Sequence, residues 1–126
     1  MFSCLIEDFR IVPYVRMTRK GKWFKQRAKR YLKNQHQLSW LIKLKGTGKA
    51  EIPCFLFAHI VQTGLRSNSD WDNYAKAVSD ALVKAGVLPD DCFRYILGAY
   101  VRLEKGDKNR IEIYLNRELT VRTKFF

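Results

Sequence analysis

The segment from Ile52 to Thr63 constrains the fold of this chain most. It reads Ile-Pro-Cys-Phe-Leu-Phe-Ala-His-Ile-Val-Gln-Thr and carries no formal charge. It is rich in β-branched and aromatic residues, too short to span a bilayer, and has a proline only near its start. Those properties predict a strand buried within a sheet. A buried strand needs strand partners and cover on its faces.

The flanking sequence supplies both. Phe2 to Val12 predicts a first strand that ends at Pro13. Tyr14 to Trp23 is basic, with aromatics and a glycine, and reads as a loop. From about Phe24 to Lys45, residues Ala28, Tyr31, Leu32, Gln35, Leu38 and Leu41/Ile42 fall at steps of three and four, which predicts a helix stopped by Gly46-Thr47-Gly48. Gly64 to Ser69 is a polar turn. Asp72 to Ala85 predicts a second helix with Ala75, Val78, Leu82 and Ala85 as its apolar stripe and Gly86 at C′. Phe93 to Lys105 and Arg110 to Asn116 predict two more strands, joined by a hairpin turn at Gly106-Asp107-Lys108-Asn109. Leu119 to Phe126 is a basic tail. The expectation is one α+β domain, residues 1–126, with a mixed sheet of about four strands and two main helices packed on it.

Charge is distributed unevenly. The net charge is +12, which points to a polyanionic partner. Thirteen Lys or Arg and no acid lie between Arg10 and Ala50, and five aspartates lie between Asp70 and Asp91. Acids gathered inside a cationic protein weaken its attraction to phosphate, and a bound divalent cation is the economical reason for them. No apolar run is long enough for a membrane-spanning helix. The first ten residues include Glu7 and Asp8 and lack the cationic start of a signal peptide. A cytoplasmic protein without a membrane partner is expected. Cys4, Cys54 and Cys92 form no CxxC pair, so they are expected to be reduced and buried, with neither disulfide nor zinc site. His36 and His59 stand in no metal or catalytic pattern. Trp40 and Trp71 are expected to pack.

The chemistry-bearing segment is Asp70-Trp71-Asp72-Asn73-Tyr74-Ala75-Lys76. It puts two carboxylates at a helix start, where the helix dipole eases their repulsion. Lys76 follows Asp72 by four on the same helix face, and Asp80 is one turn further. Asp90 and Asp91 form a second acidic pair. Hard cations prefer carboxylate oxygens, and a phosphodiester cut requires an activated water and a stabilised leaving oxygen. Each piece also has a plain structural use: Asp70 or Asp72 as an N-cap, Asp72 with Lys76 as a surface ion pair, Asp90-Asp91 as a turn. Arg16, Arg19, Lys20, Lys22, Lys25, Arg27, Lys29 and Arg30, with Tyr14, Trp23 and Phe24 among them, are candidates to grip phosphates and stack on bases. The competing reading is a solvated basic loop.

This order of motifs, continued by Ser79-Asp80-Ala81-Leu82-Val83-Lys84-Ala85-Gly86 and Asp90-Asp91, resembles the signature of the RusA Holliday junction resolvases. Arg16 to Trp23 is similar to phage-type members. The Pro-Pro-Ser-Asn turn of better-known cellular members is absent, with Pro13-Tyr14-Val15-Arg16 near that place. The resemblance implies a RusA-like homodimer in a bacterial or phage-infected cell, dependent on Mg2+ with Mn2+ as substitute, that nicks four-way DNA symmetrically. It implies Asp70, Asp72 and Asp91 as metal-binding acids and Lys76 as the catalytic basic residue, with Asn73, Asp80 and Asp90 in support. Rival readings are a metal nuclease for other branched DNA, a nucleic-acid-binding protein without chemistry, and a basic adaptor for an acidic protein.

Chain geometry adds one expectation. A 14-residue second helix is about 20 Å long. The connector from Ala85 to Asp91 spans at most about 20 Å when extended. Asp91 therefore rejoins Asp70 and Asp72 only if the connector doubles back along the helix, or else a partner subunit supplies it.

The cationic first third predicts a steep salt response. A protein that makes about 6–10 phosphate contacts loses about 10³–10⁵ in DNA affinity between roughly 50 and 200 mM salt. Fluorescence anisotropy with a labelled duplex across that range should show a drop of this order.

Overall fold

A computed structural model describes residues 1–15 and 21–118, with the backbone alone for residues 21–24. The elements run β1 (Phe2–Glu7), α1 (Gly21–Lys45), β2 (Thr47–Gly48), β3 (Cys54–Gln62), α2 (Trp71–Lys84), β4 (Ile96–Lys105) and β5 (Arg110–Asn116). They form an α+β arrangement in which α1 and α2 pack on one five-stranded sheet of order β2-β1-β5-β3-β4. The fifth strand is the two-residue β2, whose Thr47 and Gly48 pair with Ser3 and Phe2 just after the predicted helix stop.

The apolar segment at Ile52 becomes β3, with β5 antiparallel on one edge and β4 parallel on the other. Leu56, Ala58, Ile60 and Gln62 face the helices and are at most 1% exposed. Ile111, Ile113 and Leu115 of β5 join them, with Phe2, Cys4 and Ile6 of β1 beyond. From the helices come Tyr31, Leu38 and Ile42 of α1 and Ala77, Val78, Ala81 and Leu82 of α2. On the opposite sheet face Phe57 stacks on Tyr100, with ring centroids 5.4 Å apart.

Several expectations require correction. β1 ends at Glu7, not Val12, because Asp8 adopts φ +57 and leaves the extended region. Residues 8–15 are irregular but tied down. Ile11 N–H donates to Gln62 Oε1 (2.8 Å), Val12 N–H to Asn34 Oδ1 (2.9 Å) and Asn34 Nδ2 to the Arg10 carbonyl (3.0 Å). The helix α1 begins three residues before the expected Phe24. Its buried stripe is Tyr31, Asn34/Gln35, Leu38/Ser39 and Ile42, while Leu32 is exposed. Gln35 lies in the stripe because its Nε2 donates to the Ala77 carbonyl (2.8 Å), which ties α1 to α2.

The stripe of α2 is likewise rotated. Tyr74, Ala77, Val78, Ala81 and Leu82 are buried, and Ala75 lies at the edge of the interface. Gly86, at φ +78, ends this helix as expected, with Val87 N–H donating to the Leu82 carbonyl (3.0 Å). Residues 93–95 form a turn, so β4 starts later than expected.

The segment Gly106–Asn109 is not a hairpin turn. β4 runs parallel to β3, so β5 enters on the other side of β3 and pairs with β1 and β3. The connection crosses the end of β3: Gly106 N–H donates to the Gln62 carbonyl (3.1 Å) and Thr63 N–H to Asn109 Oδ1 (3.0 Å). The three cysteines are free thiols as expected, but Cys92 is exposed rather than buried. Among the described residues no helix is long and apolar enough to cross a membrane. The basic tail from Leu119 onward lies outside the described residues.

Asn34 anchors residues 8–15 through two bonds, and its removal strands a Val12 amide beside the core. Asn34→Ala is expected to lower unfolding free energy by about 1–3 kcal/mol in urea melts, the cost of unsatisfied buried polar groups.

Candidate active site

The crossover from β3 to the parallel β4 carries α2, and the candidate acids bracket that helix. Asp70 takes the N-cap position (φ −80, ψ 109), yet its carboxylate makes no capping bond. Asp72 Oδ1 accepts the Asn73 N–H (3.0 Å), and both carboxylates are exposed. The structural use of Asp70 as a bonded cap is therefore not realised. The expected Asp72–Lys76 surface pair is not what Lys76 forms.

Lys76 instead turns towards the far end of the helix. Its Nζ lies 2.9 Å from Asp80 Oδ1, one turn on, and 2.5 Å from Asp91 Oδ2. The connector after α2 thus doubles back alongside the helix. The return brings Asp91 alongside the Lys76–Asp80 turn of α2, short of Asp72. Asp90 braces the return, its Oδ1 accepting the Asp91 N–H (2.8 Å). Among the described residues no group of three acids, histidines or cysteines converges closely enough to hold an ion. The chain therefore brings Asp80, Asp90 and Asp91 around Lys76 and leaves Asp70 and Asp72 at the helix start.

A third layer comes from α1. Tyr31, 2% exposed, donates its hydroxyl to Asp80 Oδ2 (2.8 Å). Tyr14 meets the Tyr31 ring edge-on at 5.5 Å between centroids, and the Lys76 ammonium lies 6.0 Å from the Tyr14 ring centre. The Tyr14 amide donates to the Asn73 carbonyl (2.9 Å), which pins this wall to the first turn of α2. Tyr31, Leu32, Gln35, Lys76, Asp90 and Asp91 line a groove of about 420 Å³ between the helices. Sequence reasoning assigned Tyr31 only to the core, and Tyr14 to base stacking. The one available clue was a hydroxyl on an otherwise apolar end of the α1 stripe.

The electrostatics follow from these contacts. The hydrogen bond to Asp91 raises the Lys76 pKa well above the ordinary lysine value, partial burial opposes it, and Asp80 adds to it. The same bond holds the Asp91 carboxyl below its ordinary range against some desolvation. Burial first, then the bond to Asp80, pushes the Tyr31 phenol far above its usual value. At neutral pH this is a neutral phenol at Tyr31, a fixed ammonium at Lys76 and an ionised carboxylate at Asp91.

Lys25, Arg27, Lys29 and Arg30 project from the exposed side of α1. Arg16, Arg19 and Lys20 lie outside the described residues, as do the side chains of Lys22, Trp23 and Phe24. The two tryptophans expected to pack are exposed: Trp40 by 64% and Trp71 by 58%.

Residues 10–116 match the family model described as Endodeoxyribonuclease RusA. The chain belongs to the RusA endodeoxyribonuclease family. No curated protein matches it. The match spans the irregular segment from Arg10 onward, both helices and β2 to β5, and so includes every acid of the candidate site, while β1 lies outside it. As a RusA protein the chain is an endodeoxyribonuclease of the kind that resolves Holliday junctions. A nuclease of this family has a reason for a fixed cation beside acids: its substrate brings negative charge into the site.

Asp91 supplies a pH test. A carboxyl held low by its partner stabilises the fold above its ordinary value of 3.8, and that contribution is lost as pH falls through the lowered value. Lys76→Met removes the partner, and the Asp91 carboxyl should then titrate higher, at or above its ordinary range. Carboxyl-carbon NMR titration of both proteins checks this.

Proposed function

We propose that this RusA protein works as a homodimer that nicks two symmetry-related strands of a four-way DNA junction, with magnesium bound by Asp70, Asp72 and Asp91 and Lys76 as the catalytic cation. The observation that carries the reading is the return of Asp91 to Lys76, because it brings an acid from beyond α2 back towards the two at its start. Two equivalent cuts suit a two-fold protein on a two-fold substrate. The setting is the cytoplasm of a bacterial or phage-infected cell, where such DNA is made and resolved.

The donor set fits the ion in kind. Magnesium takes hard oxygen ligands, keeps several waters and needs only one or two protein carboxylates. Asp70 and Asp72 are exposed and uncommitted to salt bridges among the described residues, and Asp91 is held as a carboxylate by Lys76 further along the same helix. Magnesium, or manganese in its place, supplies a more acidic attacking water and charge stabilisation for the leaving oxygen when bound.

The remaining chemistry belongs to the chain. The exposed cations of α1 attract the phosphate backbone. The positive end of α2 favours a phosphate beside Asp70 and Asp72. Lys76 stays protonated throughout the physiological range and offsets charge that develops on the phosphate. Tyr31, through Asp80, fixes the direction of the ammonium. Asn73 ties the helix start to Tyr14, and Asp90 braces Asp91.

A labelled four-way junction, a flap and a linear duplex, each with and without magnesium, test the proposal. Paired nicks confined to the junction are expected. Asp72→Asn should lower cleavage by about 100-fold or more, since even residues that merely support a metal ligand cost about 10–100-fold. Mixing Asp70→Asn with Asp91→Asn subunits tells whether an active site draws on two chains: recovery of cleavage marks shared sites, and none marks sites closed within one chain. Junction binding without cleavage across several divalent metals would overturn the nuclease assignment for these residues.

A further inference from the structure

We propose that the open groove between the 64–69 turn and β4 binds an unpaired nucleotide, with Trp71 under the base and Arg66 and Lys105 on its phosphates. The inference deepens the branched-DNA reading, since a branch point exposes bases that a continuous duplex does not.

The groove measures about 750 Å³, within the roughly 300–1,000 Å³ of small-molecule sites. Its floor is apolar, from Leu65, Val101 and Leu103, and its cations are Arg66 and Lys105. Among the described residues no acid lines it, although Asp70 and Asp72 flank Trp71 in sequence. Trp71 is the first residue of α2, yet it stays 58% exposed while its neighbour Tyr74 is buried. Leaving an indole in water at this position sacrifices burial that the fold could have used. Neither Arg66 nor Lys105 forms an ion pair among the described residues.

This combination of an exposed indole, an apolar floor and unmatched cations is the composition of a stacking platform for single-stranded nucleic acid. A duplex cannot use it, because the face of a paired base is covered by its neighbours. Stacking on a ring accepts any base, so the groove supplies a preference for unpaired structure and none for sequence. Its position is also informative. The base would stand beside the carboxylates at the start of α2, so the nucleotide held open would lie next to the phosphate that is cut.

Binding of a labelled oligo-dT of about twelve nucleotides tests the groove without any junction or cleavage step. The readouts are affinity for oligo-dT and for a linear duplex at equal salt, with circular dichroism to show that each variant is folded. Trp71→Ala should weaken oligo-dT binding about tenfold, in line with base–aromatic stacking, and leave duplex binding unchanged. Trp71→Phe should stay within about twofold of wild type, because a ring remains. Arg66→Ala and Lys105→Ala should each cost about threefold on oligo-dT. Equal oligo-dT affinity for Trp71→Ala and wild type overturns the proposal. So does an equal fall on duplex, which would make Trp71 a general contact. A wild type that binds oligo-dT through Trp71 but cuts no junction would sink the resolvase reading alone.

Discussion

The parallel pairing of β3 with β4 is the constraint on which the rest of this molecule depends. Parallel neighbours require the chain to travel back over the sheet before it re-enters, and α2 makes that journey. Its start therefore stands at one end of the sheet and its exit at the other. Acids on either side of the helix would be far apart if the chain simply carried on. Lys76 reverses that outcome by holding Asp91 against the middle of the helix, with Asp80 and Tyr31 behind it. The same pairing decides where the last strand goes. With β4 occupying one edge of β3, β5 fills the other and closes the sheet against β1.

Much of this was legible in the sequence where local chemistry decides. The composition of Ile52–Thr63 pointed to a buried strand, and β3 is one, with a partner on each edge. Gly86 ends α2 because a left-handed residue is needed there. The signature around Asp70 identified the family that the match over residues 10–116 then established. What remained hidden depends on neighbours distant in sequence. Gly106–Asn109 has the composition of a hairpin turn, but composition does not reveal which edge the next strand will join. Periodicity placed Leu32 in the stripe of α1, yet the adjacent surface is the open groove by Lys76. Large apolar residues usually pack, which is what the sequence suggests for Trp71, but the folded chain leaves it 58% exposed at the rim of the groove it shares with β4.

The candidate site shows the same division. Asp72 and Lys76 share a helix face by spacing alone, which suggested that they pair. In the folded chain Asp91 and Asp80 claim the lysine, because a cation bound between two carboxylates gains more than one bound to a single exposed neighbour. Among the described residues that arrangement leaves Asp70 and Asp72 without a salt-bridge partner, and it keeps Asp91 ionised. The electrostatic balance of the site is thus struck around one ammonium group. Removing it would disturb both the acids it touches and the phosphate it would meet.

The amide of Tyr14 bonded to the carbonyl of Asn73 has a mechanical consequence. It welds the end of the 8–15 segment to the turn that bears Asp72, two residues before Arg16. A displacement of Tyr14 is passed to the first turn of α2 through this one bond. Under the roles proposed above, a ligand that pulls on Tyr14 would shift the turn of Asp72 with it.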